Sequence, residues 1–157
     1  MRKIYIIICF DVLLLGLIPF ASKMAVYKHS PIYTHFIYMF AHANIIHWAV
    51  NAWCILVMNN LFTNKRLLVS YIFAIVLSFL YQPKLPVLGM SIIISFFIGF
   101  MTFWLYKKHR LVFWQTLILM SIGFFIPNIA ALYHLFAFLF GVIYNRIEYL
   151  IADIKEV

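Results

Sequence analysis

Residues 88–106 read LGMSIIISFFIGFMTFWLY and contain no charged side chain. A helix that crosses the apolar core of a bilayer needs about 20 mostly apolar residues, so this stretch is long enough to cross one. Near its start Gly89 precedes Ser91 by two residues, and a second glycine, Gly99, follows about two helical turns later. The stretch predicts a membrane-spanning helix whose first turns carry a serine between two points of close packing.

The composition of the whole chain agrees with this prediction. Of 157 residues, 67% are hydrophobic and 10% are charged, whereas soluble domains are nearer half apolar and a quarter charged. We therefore predict an all-α membrane protein, a single six-span domain over residues 1–157 with no separate soluble domain. Its six apolar runs lie at 4–22, 36–60, 66–82, 88–106, 112–127 and 129–150.

The basic residues indicate an orientation rather than a nucleic-acid partner, because they fall in short loops between the runs. With the N-terminus inside, nine Lys and Arg face the cytoplasm and three face outward, which is the bias that membrane proteins show. The inner set is Arg2, Lys3, Lys65, Arg66, Lys107, Lys108, Arg110, Arg146 and Lys155, and the outer set is Lys23, Lys28 and Lys84. Both termini are then cytoplasmic, and the second, fourth and sixth spans begin at the outer face.

The second run carries polar residues in the segment HANIIHWAVN, residues 42–51. On a continuous helix, His47 and Asn51 are four residues apart and share a face, whereas His42 points about 140° away from His47. His47 and Asn51 can therefore serve one site, and His42 is expected to do something else. For any one such residue, the alternative is a hydrogen bond that joins neighbouring helices, worth about 0.6 kcal/mol on average.

The sixth run carries a stripe of small residues interrupted by one imidazole. Ala130, His134, Ala137 and Gly141 follow at spacings of four, three and four. Small residues let membrane helices approach closely, so the stripe could dock on the side of the fourth span that carries Ser91. That arrangement would bring His134 beside the serine, at a depth that the polar residues of the second span share.

These residues together resemble the rhomboid family of intramembrane serine proteases, and the resemblance covers nearly the whole chain. It rests on three motifs in the family's order: His42-x4-His47-x3-Asn51, then Gly89-Met90-Ser91, then His134-x2-Ala137-x3-Gly141. The resemblance implies a six-helix bundle in the membrane.

The family's roles can be carried over to the matching positions. The resemblance implies that Ser91 is the nucleophile and that His134 is its general base. It implies that His47 and Asn51 stabilise the oxyanion, and that His42 is structural, as are Gly89, Ala137 and Gly141. A serine hydroxyl needs such a base to become a good nucleophile, and losing one oxyanion donor typically lowers the rate about 100- to 1,000-fold.

The acidic residues favour a dyad over a triad. Glu148, Asp153 and Glu156 lie at the inner end of the sixth span, and Asp11 is about 10 Å deep in the first span, so none is well placed to orient His134. A zinc protease would need His-Glu-x-x-His, which is absent, and an aspartyl protease would need two membrane aspartates. We expect neither a metal nor a cofactor. For Asp11 we expect a protonated or hydrogen-bonded structural carboxyl.

Three positions depart from the family pattern and leave an alternative open. Ile92 stands where the family commonly has glycine, and Ser95 stands where it commonly has a tyrosine that stacks on the histidine. The outer loop, residues 23–35, has no Trp-Arg pair. The alternative is therefore a catalytically inactive relative that binds membrane proteins. A small transporter is a third reading, which finds little support beyond Asp11.

The function expected from the sequence is an endopeptidase that cleaves membrane-anchored proteins near the outer membrane boundary through a Ser91–His134 dyad. Hydrolysis needs a wet cavity at the outer end of the bundle, and the substrate helix must first expose a peptide bond. We expect the lipid bilayer and transmembrane substrate proteins as partners, with no nucleic acid, and a multi-pass location in a bacterial plasma membrane. The sequence does not indicate an oligomeric state.

Overall fold

The computed structural model describes residues 2–81, 83, 86–122, 125 and 130–155. In this part of the chain every regular element is helical, apart from one isolated β-bridge between Val26 and Val87. The α-helices are α1 (Arg2–Leu15), α2 (Ala21–Met24), α3 (Thr34–Ile37), α4 (Ile45–Val57), α5 (Asn64–Leu80), α6 (Ser91–Lys108), α7 (Arg110–Ile122) and α8 (Ala131–Lys155). Short 3-10 helices follow at Ile18–Phe20, Tyr38–Phe40 and Asn59–Leu61. The chain forms two compact units, Met1–Ile94 and Ser95–Val157.

Each of the six predicted apolar runs overlaps one of the longer helices, and the helices differ in how readily they cross a membrane. By length and composition, α6 and α8 are each sufficient, within the described residues. Two further spans are possible if each of two bent helix pairs counts as one: Ile7–Leu15 with Ile18–Met24, and Thr34–Phe40 with Ile45–Val57. The described helices thus provide two to four candidate spans, and the count of six stays a prediction.

The second run is not the continuous helix that its hydrophobicity suggested. It bends by 81° between Thr34–Phe40 and Ile45–Val57. The backbone is already extended at Ala41, and Asn44 begins a new helix as its N-cap, because its side-chain oxygen accepts the His47 N–H at 2.9 Å. Such a cap satisfies one of the N–H groups that have no partner within a helix. The helical angle predicted between His42 and His47 is therefore wrong, since His42 lies in the bend.

The first unit packs α1 against α4. The Trp48 indole N–H donates to the backbone carbonyl of Asp11 at 2.7 Å, and Leu14 is buried one turn further along α1. The Asp11 side chain is buried as expected, but its Oδ2 has no hydrogen-bond partner among the described residues. A buried carboxyl oxygen that lacks a partner favours the protonated state.

In the second unit, α6 and α8 touch backbone to backbone. A Cβ at Gly99 would overlap the carbonyl oxygen of Phe138, and a Cβ at Gly141 would overlap that of Phe96, so only glycine fits at either position. Ala137, in the same stripe of α8, is completely buried. Helices that approach this closely gain dispersion contacts, which drive helix association in membranes.

Aromatic contacts along this interface define its direction and register. Phe96 packs on Phe140 with ring centroids 5.8 Å apart, and Phe100 packs on Tyr144 at 6.3 Å. Further along, the Arg146 guanidinium lies 3.6 Å from the centroid of the Phe103 ring. Residue numbers rise together on both helices, so α6 and α8 run parallel.

Candidate active site

The Gly89–Ser91 motif forms a tight turn that leads into α6. Gly89 has φ +104°, a conformation that side chains rarely adopt, and its N–H donates to the Tyr38 carbonyl at 2.9 Å. Helix α6 then begins at Ser91. The first N–H groups of any helix lack partners within that helix and carry the positive end of its dipole. The turn therefore holds a serine where backbone donors converge.

The imidazole of His47 lies directly on this turn. A Cβ at Gly89 would come within 2.6 Å of His47 Cε1 and 2.8 Å of Nε2, so glycine is required for space as well as for backbone geometry. The Ala43 N–H donates to His47 Nδ1 at 3.4 Å. This hydrogen bond assigns the neutral ring a hydrogen on Nε2, the nitrogen on the Gly89 side. His47 can thus offer an N–H donor beside the turn that precedes Ser91.

Asn51 uses part of its hydrogen-bonding capacity within its own helix. The side chain is buried, and its Nδ2 donates to the backbone carbonyl of His47 at 2.9 Å. An amide NH2 has two hydrogens, so this bond leaves one for another acceptor. The bond also turns the amide toward the first turn of α4, where His47 lies.

His42 packs beside His47 instead of facing away from it, because the bend precedes α4. The two ring centroids are 5.3 Å apart in an edge-to-face arrangement, and His42 is only 1% exposed. Neither of its ring nitrogens has a hydrogen-bond partner among the described residues. His42 therefore fills the interior behind His47. Within the described residues, no three His, Cys, Asp or Glu side chains are close enough to hold a metal ion.

Ile92 and Ser95, the two residues near Ser91 that differ from the family pattern, are both buried. Ile92 is 2% exposed and Ser95 is 7% exposed, whereas Ser91 is partly exposed. The Ile92 side chain is thus packed in the interior and presents almost none of its surface to an incoming peptide.

His134 lies in the first turn of α8, in the second unit. Its N–H donates to the Ala130 carbonyl at 3.2 Å, and its side chain is partly exposed. Further along the helix are Ala137 and Gly141, at the interface with α6 described above. Of the predicted site residues, the first unit brings together His42, His47, Gly89 and the start of α6, and the pairing of Ser91 with His134 stays a prediction.

The structure contains a serine–histidine contact that the sequence did not indicate. His35 Nδ1 lies 2.9 Å from Ser78 Oγ, and both side chains are buried. The Ser78 hydroxyl donates its hydrogen to the Ile75 carbonyl at 2.6 Å, so its oxygen must accept from His35. A general base would accept the serine hydrogen instead. This pair therefore ties α3 to α5 and is not arranged as a nucleophile and base.

Comparison with known families supports the resemblance that the motifs suggested. The family model described as Rhomboid domain matches residues 29–150, which include α3 to α7 and most of α8. A search of curated proteins found none that matches the chain.

Proposed function

The chain belongs to the rhomboid family, and from this premise we propose that it is an active intramembrane serine endopeptidase. Family members act on membrane proteins within the bilayer, and the apolar helices of this chain fit an integral membrane protein. The observation that carries the proposal is the packing of His47 against Gly89, at the turn that leads into α6 and Ser91.

The proposed reaction uses Ser91 and His134 as a dyad. The Ser91 hydroxyl attacks the carbonyl carbon of the scissile peptide bond while His134 accepts its proton. The tetrahedral intermediate collapses, the C–N bond breaks, and His134 returns the proton to the leaving amine. Water then attacks the acyl carbon while His134 accepts a proton from it, and the second tetrahedral intermediate collapses with cleavage of the bond from the acyl carbon to Ser91 Oγ. His134 returns its proton to Oγ, which restores the serine hydroxyl as the new carboxyl terminus leaves.

The packing of α6 on α8 supports this pairing in outline. Gly99 meets the Phe138 backbone and Gly141 meets the Phe96 backbone, so the two helices are in close contact within the second unit. Helix α6 begins at Ser91, and His134 precedes Ala137 and Gly141 on the stripe of α8 that makes this contact.

The donors proposed for the oxyanion all belong to the first unit. We assign them to the His47 Nε2–H, the remaining Asn51 amide hydrogen and the backbone N–H of Ser91. Fixed donors of this kind stabilise charge as it develops, and they require no reorganisation during the reaction. The His47 ring is fixed by Gly89 on one side and by the Ala43 N–H on the other.

The positive-inside bias supports an orientation in which this site opens near the outer face, with both termini in the cytoplasm. We propose a bacterial plasma membrane as the location. The substrate is then a membrane-anchored protein whose helix is weak near its outer boundary, because a paired helical backbone cannot present its carbonyl to Ser91.

The second candidate is an inactive family member that binds membrane proteins. It is favoured by Ser95, which stands one turn after Ser91 where the family commonly has a tyrosine. Without the tyrosine ring that commonly stacks on the histidine in this family, the imidazole of His134 would be held by other contacts.

Labelling by a fluorophosphonate probe, together with cleavage of a model membrane substrate in detergent, separates the two candidates. An active protease is labelled at Ser91 and loses labelling in Ser91→Ala. His134→Ala should lower the cleavage rate about 100- to 10,000-fold, the usual contribution of a general base. Ser95→Ala is the matched control, since it removes a hydroxyl from the same helix, and it should keep its activity.

Two outcomes would contradict the proposal. If Ser91→Ala and His134→Ala cleave as well as the parent, the dyad is wrong. If the parent is neither labelled nor able to cleave any membrane substrate supplied, the binding function is favoured.

A further inference from the structure

Tyr38 is completely buried and joins three parts of the first unit. It begins the 3-10 helix Tyr38–Phe40, which precedes the bend before α4. Its phenol hydroxyl donates to the Ala74 carbonyl on α5 at 3.0 Å. Its own backbone carbonyl accepts two N–H groups, that of Ala41 at 3.3 Å and that of Gly89 at 2.9 Å. One residue thus connects α5, the bend and the Gly89 turn.

The hydrogen bond to Gly89 falls where the chain enters the proposed site. Before it, Val26 and Val87 exchange backbone hydrogen bonds at 2.9 and 2.8 Å. After it, α6 begins at Ser91. Among the described residues between these two anchors, the Gly89 N–H makes the backbone bond that ties the turn to another part of the unit. The Tyr38 carbonyl therefore binds the turn at the same glycine that lies against the His47 ring.

The direction of that carbonyl depends on the side chain of the same residue. A 3-10 helix of three residues has little internal support, so its orientation must be fixed from outside. The buried phenol does this through α5, and a buried tyrosine hydroxyl normally requires such a partner. Two further contacts join the same elements: His35 with Ser78, and the Tyr71 hydroxyl with the Phe36 carbonyl at 2.9 Å.

We propose that Tyr38 is a positioning residue for the Gly89–Ser91 turn. It acts through the backbone of Gly89, and through Gly89 on His47, without touching the substrate. This inference rests on the proposed function and deepens it, because it identifies what holds the serine turn and an oxyanion donor in register.

The test compares Tyr38→Phe with Tyr71→Phe in the full-length protein. Each variant removes one phenol hydroxyl that donates to a backbone carbonyl between α5 and the segment Thr34–Phe40. Tyr38→Phe should lower kcat on the membrane substrate about tenfold with KM unchanged, and should slow fluorophosphonate labelling of Ser91 by the same factor. Tyr71→Phe should leave both within about twofold of the parent. Thermal unfolding of both variants shows that each is folded at the assay temperature.

A second readout does not depend on activity. Hydrogen exchange of the Gly89 amide, followed by NMR, should be about tenfold faster in Tyr38→Phe and unchanged in Tyr71→Phe. The proposal is overturned if Tyr38→Phe alters neither kcat nor the exchange rate, or if both variants lower kcat equally. If the parent does not react with the probe, the proposed protease function fails. In that case the exchange rate of the Gly89 amide is the remaining test: faster exchange in Tyr38→Phe alone supports the positioning role, and unchanged exchange overturns it.

Discussion

Replacing Gly89 by alanine should damage both the stability of the first unit and the proposed reaction. Two separate costs arise. An alanine at φ +104° carries backbone strain of about 1–3 kcal/mol. In addition, its Cβ would lie 2.6 Å from His47 Cε1, whereas ordinary contacts begin at 3.4 Å, so the ring must move by about 0.8 Å. Forcing one extra carbon into a packed position typically costs about 1–3 kcal/mol.

A double-mutant cycle with His47→Ala separates these two costs. In the parent, Gly89→Ala should lower the free energy of unfolding by about 2–6 kcal/mol, the sum of both effects. In the His47→Ala background the ring is gone, and only the backbone strain of about 1–3 kcal/mol should remain. Contacting residues couple in this way, whereas distant residues do not.

Unfolding of the four proteins in mixed micelles, followed by circular dichroism, measures the cycle. Gly16→Ala is the control, because Gly16 does not have positive φ and a Cβ there would meet the Leu13 carbonyl oxygen at 3.3 Å. Activity gives a parallel measurement, since a displaced His47 should lower the cleavage rate by up to about 1,000-fold. Equal costs of Gly89→Ala in the two backgrounds would refute the contact with His47.

Three further predictions concern other contacts. Ser78→Ala should lower the free energy of unfolding by about 1–3 kcal/mol, because it leaves the buried His35 N–H without an acceptor. Adding His35→Phe should recover most of this loss, and thermal unfolding that shows no recovery would refute the hydrogen bond. Gly141→Ala should cost about 1–3 kcal/mol or more in the same assay, because its Cβ would meet the Phe96 carbonyl. Asn44→Ala should cost about 0.5–2 kcal/mol, whereas Asn44→Asp, which keeps the cap, should be nearly neutral.

The helices themselves could be predicted from the sequence because their apolar runs are long and their ends are marked by polar residues. The contact of α8 with α6 was also predictable in outline. Small residues such as Ala137 and Gly141 recur on one face of α8, and such faces are where membrane helices meet. The register of the two helices was not predictable, since it depends on which aromatic rings of α6 fit beside Phe140 and Tyr144.

The bend in the second apolar run could not be predicted from the sequence, for a physical reason. When nearly every residue is apolar, hydrophobic periodicity cannot distinguish a continuous helix from a broken one. The one local signal was Asn44, a favourable N-cap residue directly before the run of α4. The contact between His35 and Ser78 had no local signal at all, because 43 residues separate them and each residue type is unremarkable alone.

The bend is also what makes the Gly89 turn possible. On one straight helix, Tyr38 and His47 would be nine residues and about 13.5 Å apart along the axis, on opposite sides. No single residue could then accept contacts from both. In the structure the Tyr38 carbonyl bonds to the Gly89 N–H, and the His47 ring packs on the same glycine. The 81° change of direction before α4 therefore allows both to contact the same glycine. A continuous helix over the second run could not bring both Tyr38 and His47 to Gly89.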